Sequence, residues 1–400
     1  MSADVADVVI VGAGAIGGWA SWFVRANGAE RVVVLERRLA GSGASSRAAG
    51  IVRAQGGIPQ TVALGRWSIA FYRGQHDTLG VDSGFTELGY MILAVSATDE
   101  REGRARVEMQ RATGLDVRWI DAEEAATLNP TLTKDGHRGG SFVETDGFID
   151  PPRNVAAYLA AMRIAGVDLR ERTAFTGLER SRGRVVGVRT PDGTVATERV
   201  VLTGGPTLRS LGRLAGLRLP VGGTRHQVAV TEPNEAFGVD RLPMVFDLKA
   251  GLYWRPEDGG LLFGMSNPDE APGPARAIDW PYLRKMQRRL NRFAPSTRGL
   301  DLRKVWAATI DYTPDHLPIV GPASTSDGEA IEGASVASAG GHGMMWGPAV
   351  AKIAADLATV GTTEVTDVSG LGLDRFDEHG RSKALDPMAL PFPVDVADDE

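Results

Sequence analysis

Two kinds of hydrophobic run alternate along the chain. Val8-Val9-Ile10-Val11 is unbroken and β-branched, the pattern of a strand covered on both faces of a parallel sheet. It runs into Gly12-Ala13-Gly14-Ala15-Ile16-Gly17, then into a helix-compatible segment that reaches Arg25 and closes at Gly28. Arg31-Val32-Val33-Val34-Leu35-Glu36 is a second apolar run, so residues 5–36 predict a strand–helix–strand unit ending in an acid. The stretch Val8 to Val24 approaches membrane-span length, but Gly12, Gly14, Gly17 and Gly18 interrupt it, so strand, turn and helix are expected instead. Downstream, periodicity predicts helices over 61–79, 153–165, 279–293 and 347–358, and two more within 99–128 flanking a short strand at 117–120. Asp150 before Pro151 is placed to cap the second of these. Strands are expected over 85–95, 167–170, 184–189, 194–202, 225–231, 252–255 and 261–265. Another precedes the Gly-rich turn within 336–343. No internal repeat is visible, and the segment from 387, Pro-rich and then acidic, is expected to be a loose tail.

Composition narrows what such elements do. Four hundred residues exceed one ordinary core, which predicts two or three domains, or one domain carrying a large insertion. Hydrophobic content of 43% with 24% charge is that of a soluble globular protein. Glycine, at 50 of 400 residues, is nearly twice its usual share of ~7% and is clustered, as expected where backbone turns sharply or approaches a ligand. The chain has no Cys, which excludes disulfides, thiolate metal sites, iron–sulfur clusters and thiol nucleophiles. This fits a cytoplasmic protein. A formal charge of −6 with no long basic stretch argues against nucleic acid as a partner. The N-terminus carries Asp4 and Asp7 where a secretory signal would be basic, so no signal peptide is expected.

Gly12-x-Gly14-x-x-Gly17, lying between predicted strand and helix, carries the clearest chemistry. Gly12 permits the tight turn, Gly14 lets backbone N–H groups reach a pyrophosphate, and Gly17 lets the helix lie close to the strand. The helix N-terminus supplies partial positive charge, and Glu36, nineteen residues after Gly17, is placed to accept from ribose hydroxyls. The motif indicates a dinucleotide without separating FAD from NAD. Three features favour FAD. The motif opens the chain with no second copy, Gly41 to Gly50 is placed to wrap the pyrophosphate, and a second Gly-rich strand end at 340–343 is available to close over a long ligand.

With these segments in hand, the sequence resembles the FAD-dependent D-amino acid oxidase and sarcosine oxidase family. The likeness is greatest to its sarcosine oxidase β-subunit-like and proline or dimethylglycine dehydrogenase-like members. The resemblance rests on Val8 to Gly18, Gly41 to Arg53, Arg225 to Thr231, Tyr253-Trp254-Arg255-Pro256, Thr313 to Gly321 and Gly340 to Met344. It implies an α/β fold: a discontinuous Rossmann-like FAD-binding domain with an inserted α+β substrate domain of mixed sheet. The expected boundaries are 1–86, 146–222 and 306–386 for the first, and 87–145 and 223–305 for the second. It also implies FAD-binding roles for Gly12, Ala13, Gly14, Ala15, Ile16, Gly17, Glu36 and Arg37, and for Ser42, Ser45, Ser46, Arg47, Ala49 and Gly50. Thr203, Gly204, Gly340, Gly341, His342, Gly343 and Met344 complete that set.

The implied reaction removes a hydride from the carbon beside an amine nitrogen, giving an imine that water hydrolyses. The substrate is expected to be a secondary amine or N-substituted amino acid carrying a carboxylate, with no metal. Arg53 matches the family arginine that grips the carboxylate, a bidentate task suited to a guanidinium. Tyr253 and Trp254 fall where the family places an aromatic wall, with Met265 and Ser266 expected nearby. His342 falls in a turn whose amides would face the flavin, His226 is expected to be structural, and His316 is expected in a loop near the cofactor.

Departures from the family pattern carry information too. Ser45, Ser46 and Arg47 stand in the segment where some members link flavin through His, and with no Cys this predicts non-covalent FAD. Leu262 aligns with a lysine that speeds reaction with oxygen, and Met345 with a second carboxylate-binding lysine. The electron acceptor is therefore left open between O2 and a protein or quinone carrier. The alternatives are the flavin subunit of a hetero-oligomeric amino acid dehydrogenase, or a flavoprotein of another class, a monooxygenase or reductase.

Overall fold

In a computed structural model, residues 4–238, 241–274, 277–325 and 328–390 are described. Val8–Val11 pairs in parallel with Val32–Glu36 on one side and Val200–Leu202 on the other. These strands belong to a nine-stranded sheet. Its main path also holds Asp168–Glu171, Ala330–Ser338 and the hairpin Gly177–Ser181/Arg184–Thr190, with Gly193–Ala196 and Ile319–Ser324 attached to it. Both faces are buried, which is why Val8–Val11 reads as continuously apolar. Val8 and Ile10 pack under the helices Ala15–Ala26, Pro151–Ile164 and Gly347–Thr359. Val9 and Val11 pack on the opposite face with Val188, Val195, Leu208 and Ala215. Each such fully covered side chain is worth roughly 1.5–3 kcal/mol.

A second sheet of eight strands includes Tyr90–Leu93, Arg118–Ile120, Gly140–Val143, Met244–Asp247 and Leu252–Glu257. The long pair Gly222–Thr231 and Leu302–Tyr312 forms one edge, with Gly260–Met265 on its inner side. The sheet is mixed, because Met244–Asp247 is parallel to Tyr90–Leu93 and its other pairs are antiparallel. Its apolar cluster includes Leu283, Met286, Leu290 and Phe293 from helix Trp280–Phe293. A small sheet of Ile51–Val52, Gly147–Phe148 and Thr86–Glu87 lies where the chain passes between the two large ones.

Several expected strands divide. The run 85–95 becomes Thr86–Glu87 in the small sheet and Tyr90–Leu93 in the second sheet. The turn between them is held by the Leu88 and Gly89 amides, which both donate to the Asp146 carbonyl. The run 194–202 becomes a hairpin strand, Gly193–Ala196, and a central parallel strand, Val200–Leu202. Strands at 140–143, 177–181, 244–247, 302–312 and 319–324 were not anticipated. Asp150 does cap its helix, accepting from the Arg153 amide.

The expected loose tail needs correction at its start. Met388 is only 4% exposed and packs into the second sheet's core, so residues 387–390 lie on the folded body. The remainder of the expected tail, 391–400, lies outside the described residues. No helix among the described residues is long and apolar enough to cross a membrane.

Candidate active site

The C-terminal ends of the central parallel strands open toward the second sheet, the place where open α/β sheets bind ligands. A cavity of about 470 Å³ occupies that crevice. One side is built from backbone. Gly12 takes φ +102°, and an added Cβ on Gly17 would lie 1.9 Å from the Gly12 carbonyl oxygen, so only glycine lets the helix seat so near the turn. The helix that follows has no side-chain cap at Gly14 and no acid in its first turn. Its own first turn therefore brings no carboxylate to the positive end that faces the cavity. The Ala15 amide donates to Ser45 Oγ at 3.0 Å, tying the 41–50 loop to the helix start.

Glu36 closes the adjoining strand. Its Oε2 accepts from the Ala13 amide at 3.1 Å and its Oε1 from the Arg38 amide at 2.8 Å. These bonds aim the carboxylate at the cavity and leave acceptor capacity for ribose hydroxyls. The open helix end, the glycine turn and this acid fit the pyrophosphate and ribose of FAD.

Most of the sequence-derived cofactor residues line this cavity: Gly12 to Ile16, Glu36, Arg37, Ser42, Ser45, Ala49, Gly50, Thr203, Gly204, Gly341, His342, Gly343 and Met344. Four do not. Gly17 acts through packing, as above. Gly340 lies behind the lining, with its amide donating to Ser338 Oγ. Arg47 turns inward on its own loop, donating to the Ser42 and Gly43 carbonyls, and Ser46 sits beside it off the wall.

The second sheet supplies the other wall, and alternation along Leu252–Glu257 decides which of that strand's side chains reach it. Tyr253 lines the cavity, whereas Trp254 points the opposite way and stacks on Phe293 at 5.9 Å between ring centres. The expected place of Trp254 in the aromatic wall of the catalytic site is therefore replaced by a place in the core. On the neighbouring strand, Met265 lines the cavity, while Leu262 is 1% exposed and off its wall. Ser266 is also off the wall but bonds His226, and Met345 does line the cavity.

His226, expected to be structural, faces the cavity with Tyr253. Its Nε2 lies 2.6 Å from the Tyr253 hydroxyl and its Nδ1 lies 3.1 Å from Ser266 Oγ. Ser266 in turn bonds Tyr312. Burial pushes His226 down to about 4, so the ring is neutral, and it pushes the Tyr253 phenol well above its ordinary value. The result is an uncharged chain, Tyr253–His226–Ser266–Tyr312, ending at the cavity. Its signal was the period-2 alternation of 225–231, which sets His226 on a defined face, but no sequence rule says which face meets the cofactor.

Arg53 lines the cavity and is 5% exposed. Beneath it, the Asp146 carboxyl accepts from the Ala54 amide at 2.8 Å and from Gln55 Nε2 at 3.1 Å. Burial raises Asp146 to about 7 against the pull of those donors and of Arg53. His342 faces the same space, and burial, then the Arg53 charge, push it down to about 3. Its Nδ1 lies 3.0 Å from the Gly340 carbonyl, and its ring lies 4.2 Å from Trp346. Among the described residues no group of three or more His, Cys, Asp or Glu is placed to hold a metal ion.

Two side chains that sequence reading did not single out hold the 41–50 loop from across the crevice. Arg255 Nε donates to the Ala49 carbonyl at 2.9 Å, and Trp306 Nε1 donates to the Arg47 carbonyl at 2.9 Å. Arg255 stands in the quoted Tyr253–Pro256 segment and Trp306 in none, but neither hold is legible there, because each acts on a carbonyl about 200 or more residues away in sequence.

Comparison with known proteins agrees with this architecture. The chain is 27% identical over 388 residues to a 4-methylaminobutanoate oxidase (formaldehyde-forming) of Paenarthrobacter nicotinovorans, covering 94% of this chain and 46% of that protein. It is 29% identical over 365 residues to glycine oxidase of Geobacillus kaustophilus (strain HTA426), covering 88% and 92%. The chain thus spans about half the length of the first of these relatives. Among solved structures, L-proline dehydrogenase from P. horikoshii superposes with a TM-score of 0.84 at 24% identity, covering 92% of this chain and 97% of that one. Glycine oxidase from Geobacillus kaustophilus superposes at 0.81 and 26% identity, covering 94% and 100%. The segment 41–50 holds no His and the chain no Cys, so the residue types that tether flavin are missing there and the FAD is held non-covalently. Residues 7–357 match the family described as DAO, FAD dependent oxidoreductase, and the chain belongs to that family.

Proposed function

We propose that the protein oxidises a secondary amine or N-substituted amino acid carrying a carboxylate, at a CH–NH group. The observation that carries this reading is a buried guanidinium, Arg53, sharing one cavity with an uncharged Tyr253–His226 pair. Arg53 binds the substrate carboxylate and so fixes the substrate's orientation. When bound, FAD supplies the acceptor for the hydride leaving the carbon beside nitrogen. That carbon gives up hydride only when the nitrogen is neutral. Deprotonating an alkyl ammonium at pH 7 costs about 4–5 kcal/mol in water. The Tyr90, Phe246, Tyr253, Met265 and Tyr312 surfaces desolvate the nitrogen and reduce that cost. The Tyr253 hydroxyl, hydrogen-bonded to His226 Nε2, orients the amine nitrogen. In the finished imine, water attacks the same carbon.

In this reading the FAD-binding unit comprises the nine-stranded sheet and its helices. The substrate unit comprises the eight-stranded sheet with Leu302–Tyr312 entirely within it, so the division drawn at 305/306 moves to the end of that strand. The protein acts in the cytoplasm, which its Cys-free composition favours, and cell fractionation checks this.

The test is anaerobic mixing of the FAD-bound protein with a panel of N-methyl amino acids and simple amino acids. Bleaching of the flavin band by the N-methyl compounds is expected. Bleaching by NADPH but by no amine removes the reading. Arg53→Met is expected to raise KM for carboxylate substrates about tenfold or more, since it deletes a charged hydrogen bond worth ~1.5–3 kcal/mol. Unchanged kinetics take Arg53 out of the site. Mixing the reduced protein with O2 and with a quinone then decides the electron acceptor.

A further inference from the structure

The C-terminal segment 386–390 reaches the substrate end of the cavity. Its first residue is pinned twice. The Asp386 amide donates to the Asp315 carbonyl at 3.0 Å, and the Asp386 carboxyl accepts from the Met388 amide at 2.8 Å. The approach to the body is close, because an added Cβ on Gly57 would meet Asp386 Oδ1 at 1.8 Å. The turn so formed delivers Met388 to Arg53, with Sδ 3.6 Å from Arg53 Nη1, and sets Leu390 on the cavity wall.

Among the described residues this thioether contact is the one hydrogen bond of the Arg53 guanidinium, which has five N–H donors. A thioether is a weak acceptor and carries no charge. The buried cation therefore keeps most of its hydrogen-bonding capacity for an incoming anion, and the segment fixes how that anion approaches.

We propose that Met388 and Leu390 are specificity-determining residues that set how far the substrate's carboxylate stands from its amine. This rests on the Arg53 reading above. Met388 covers one edge of the guanidinium, so the carboxylate takes the edge left open, and the distance from that edge to the flavin selects the substrate's chain length. Leu390 walls the space a longer substrate would need. Cutting back either side chain lengthens the cavity at the carboxylate end and shifts preference toward longer substrates.

The test uses the FAD-bound protein and three substrates differing in the methylenes between nitrogen and carboxylate: N-methylglycine, 3-methylaminopropanoate and 4-methylaminobutanoate. Anaerobic flavin bleaching gives kcat/KM for each. Titration with acetate, propanoate and butanoate gives Kd from the flavin spectrum without turnover. Met388→Ala is expected to move the long-to-short ratio about tenfold toward the longer substrate, within the range one methylene of pocket space commands. Met388→Leu, which refills the space beside the Arg53 guanidinium, is expected to restore the ratio to about that of the parent. Leu390→Ala shifts it the same way, and decides the matter if Met388→Ala does not fold. Ratios and Kd values changed less than twofold in both alanine variants overturn the proposal. If no member of the series reduces the parent flavin, the amine reading fails and takes this proposal with it. If Arg53→Met leaves the series unchanged, the Arg53 reading fails and the proposal with it. In either case the fault lies with that reading and not with the segment.

Discussion

Tyr253 owes its position to strand parity and its chemistry to one neighbour. Alternation along Leu252–Glu257 turns it to the cavity and Trp254 to the core, and His226 Nε2 at 2.6 Å then fixes its hydroxyl. Tyr253→Phe leaves the ring in place and removes only that oxygen. The expected result is a flavin reduction rate at saturating substrate about 10²-fold lower, the scale of losing a contact that orients the reacting group. KM should change little, because Arg53 still holds the carboxylate. A rise in KM alone would return Tyr253 to the role of wall. The pH profile gives a second readout. His226 is pushed down to about 4, so no limb near pH 6.5 should belong to it, and a limb at 6.5 that disappears in His226→Asn would contradict a neutral ring.

At the level of elements, legibility in the sequence followed the range of the forces involved. The Gly12-x-Gly14-x-x-Gly17 turn and Glu36 were readable because strand, turn, helix and strand lie within thirty residues and each glycine answers a local steric demand. The strands 140–143, 244–247 and 302–312 were not, because their side chains satisfy neighbours contributed by distant segments of chain. The site divides the same way: its backbone half was legible, while the His226–Tyr253 pair and the hold of Arg255 and Trp306 on the 41–50 loop were not. That hold is testable. Arg255 is 3% exposed, lies over Phe148 at 4.2 Å, and pairs with Glu257. Arg255→Met frees the Ala49 carbonyl and loosens a loop whose Ser45 bonds the helix start at the pyrophosphate position. The expected outcome is FAD affinity weakened by about tenfold, measured by flavin fluorescence on dilution, matching a lost charged hydrogen bond of ~1.5–3 kcal/mol. Full FAD retention would show that the loop holds its shape without the arginine.

Taken as a whole, the molecule surrounds its cavity with buried groups whose pH responses oppose each other. His226 and His316 are pushed down to about 4, and His342 to about 3, with burial the main cause in each. In the unfolded chain these rings titrate near 6.5, so between about 6.5 and 4 the unfolded state binds protons that the folded state refuses. Their effect is to lower stability as pH falls through that window, which for His342 runs on to about 3, by at most about 3 kcal/mol each for His226 and His316 and about 5 kcal/mol for His342, and less where cavity water screens it. Asp146 acts in the other direction. Burial raises it to about 7, so between about 4 and 7 the folded state keeps a proton that the unfolded state releases, and stability from this group is lost as pH rises. Burial also raises Asp311 and Asp386, which adds to the same trend. The net slope of the parent is a small difference between these terms, so the informative quantity is each variant's melting temperature relative to the parent. His226→Asn removes one proton-refusing ring, and its stability relative to the parent should improve as pH is lowered from 7 to 4.5. Asp146→Asn keeps an oxygen for the Ala54 amide and removes the ionisation, so its relative stability should improve as pH is raised across the same interval. Parallel, flat differences for both variants would mean that these groups titrate alike in folded and unfolded chains. The cavity would then be far wetter than its lining implies.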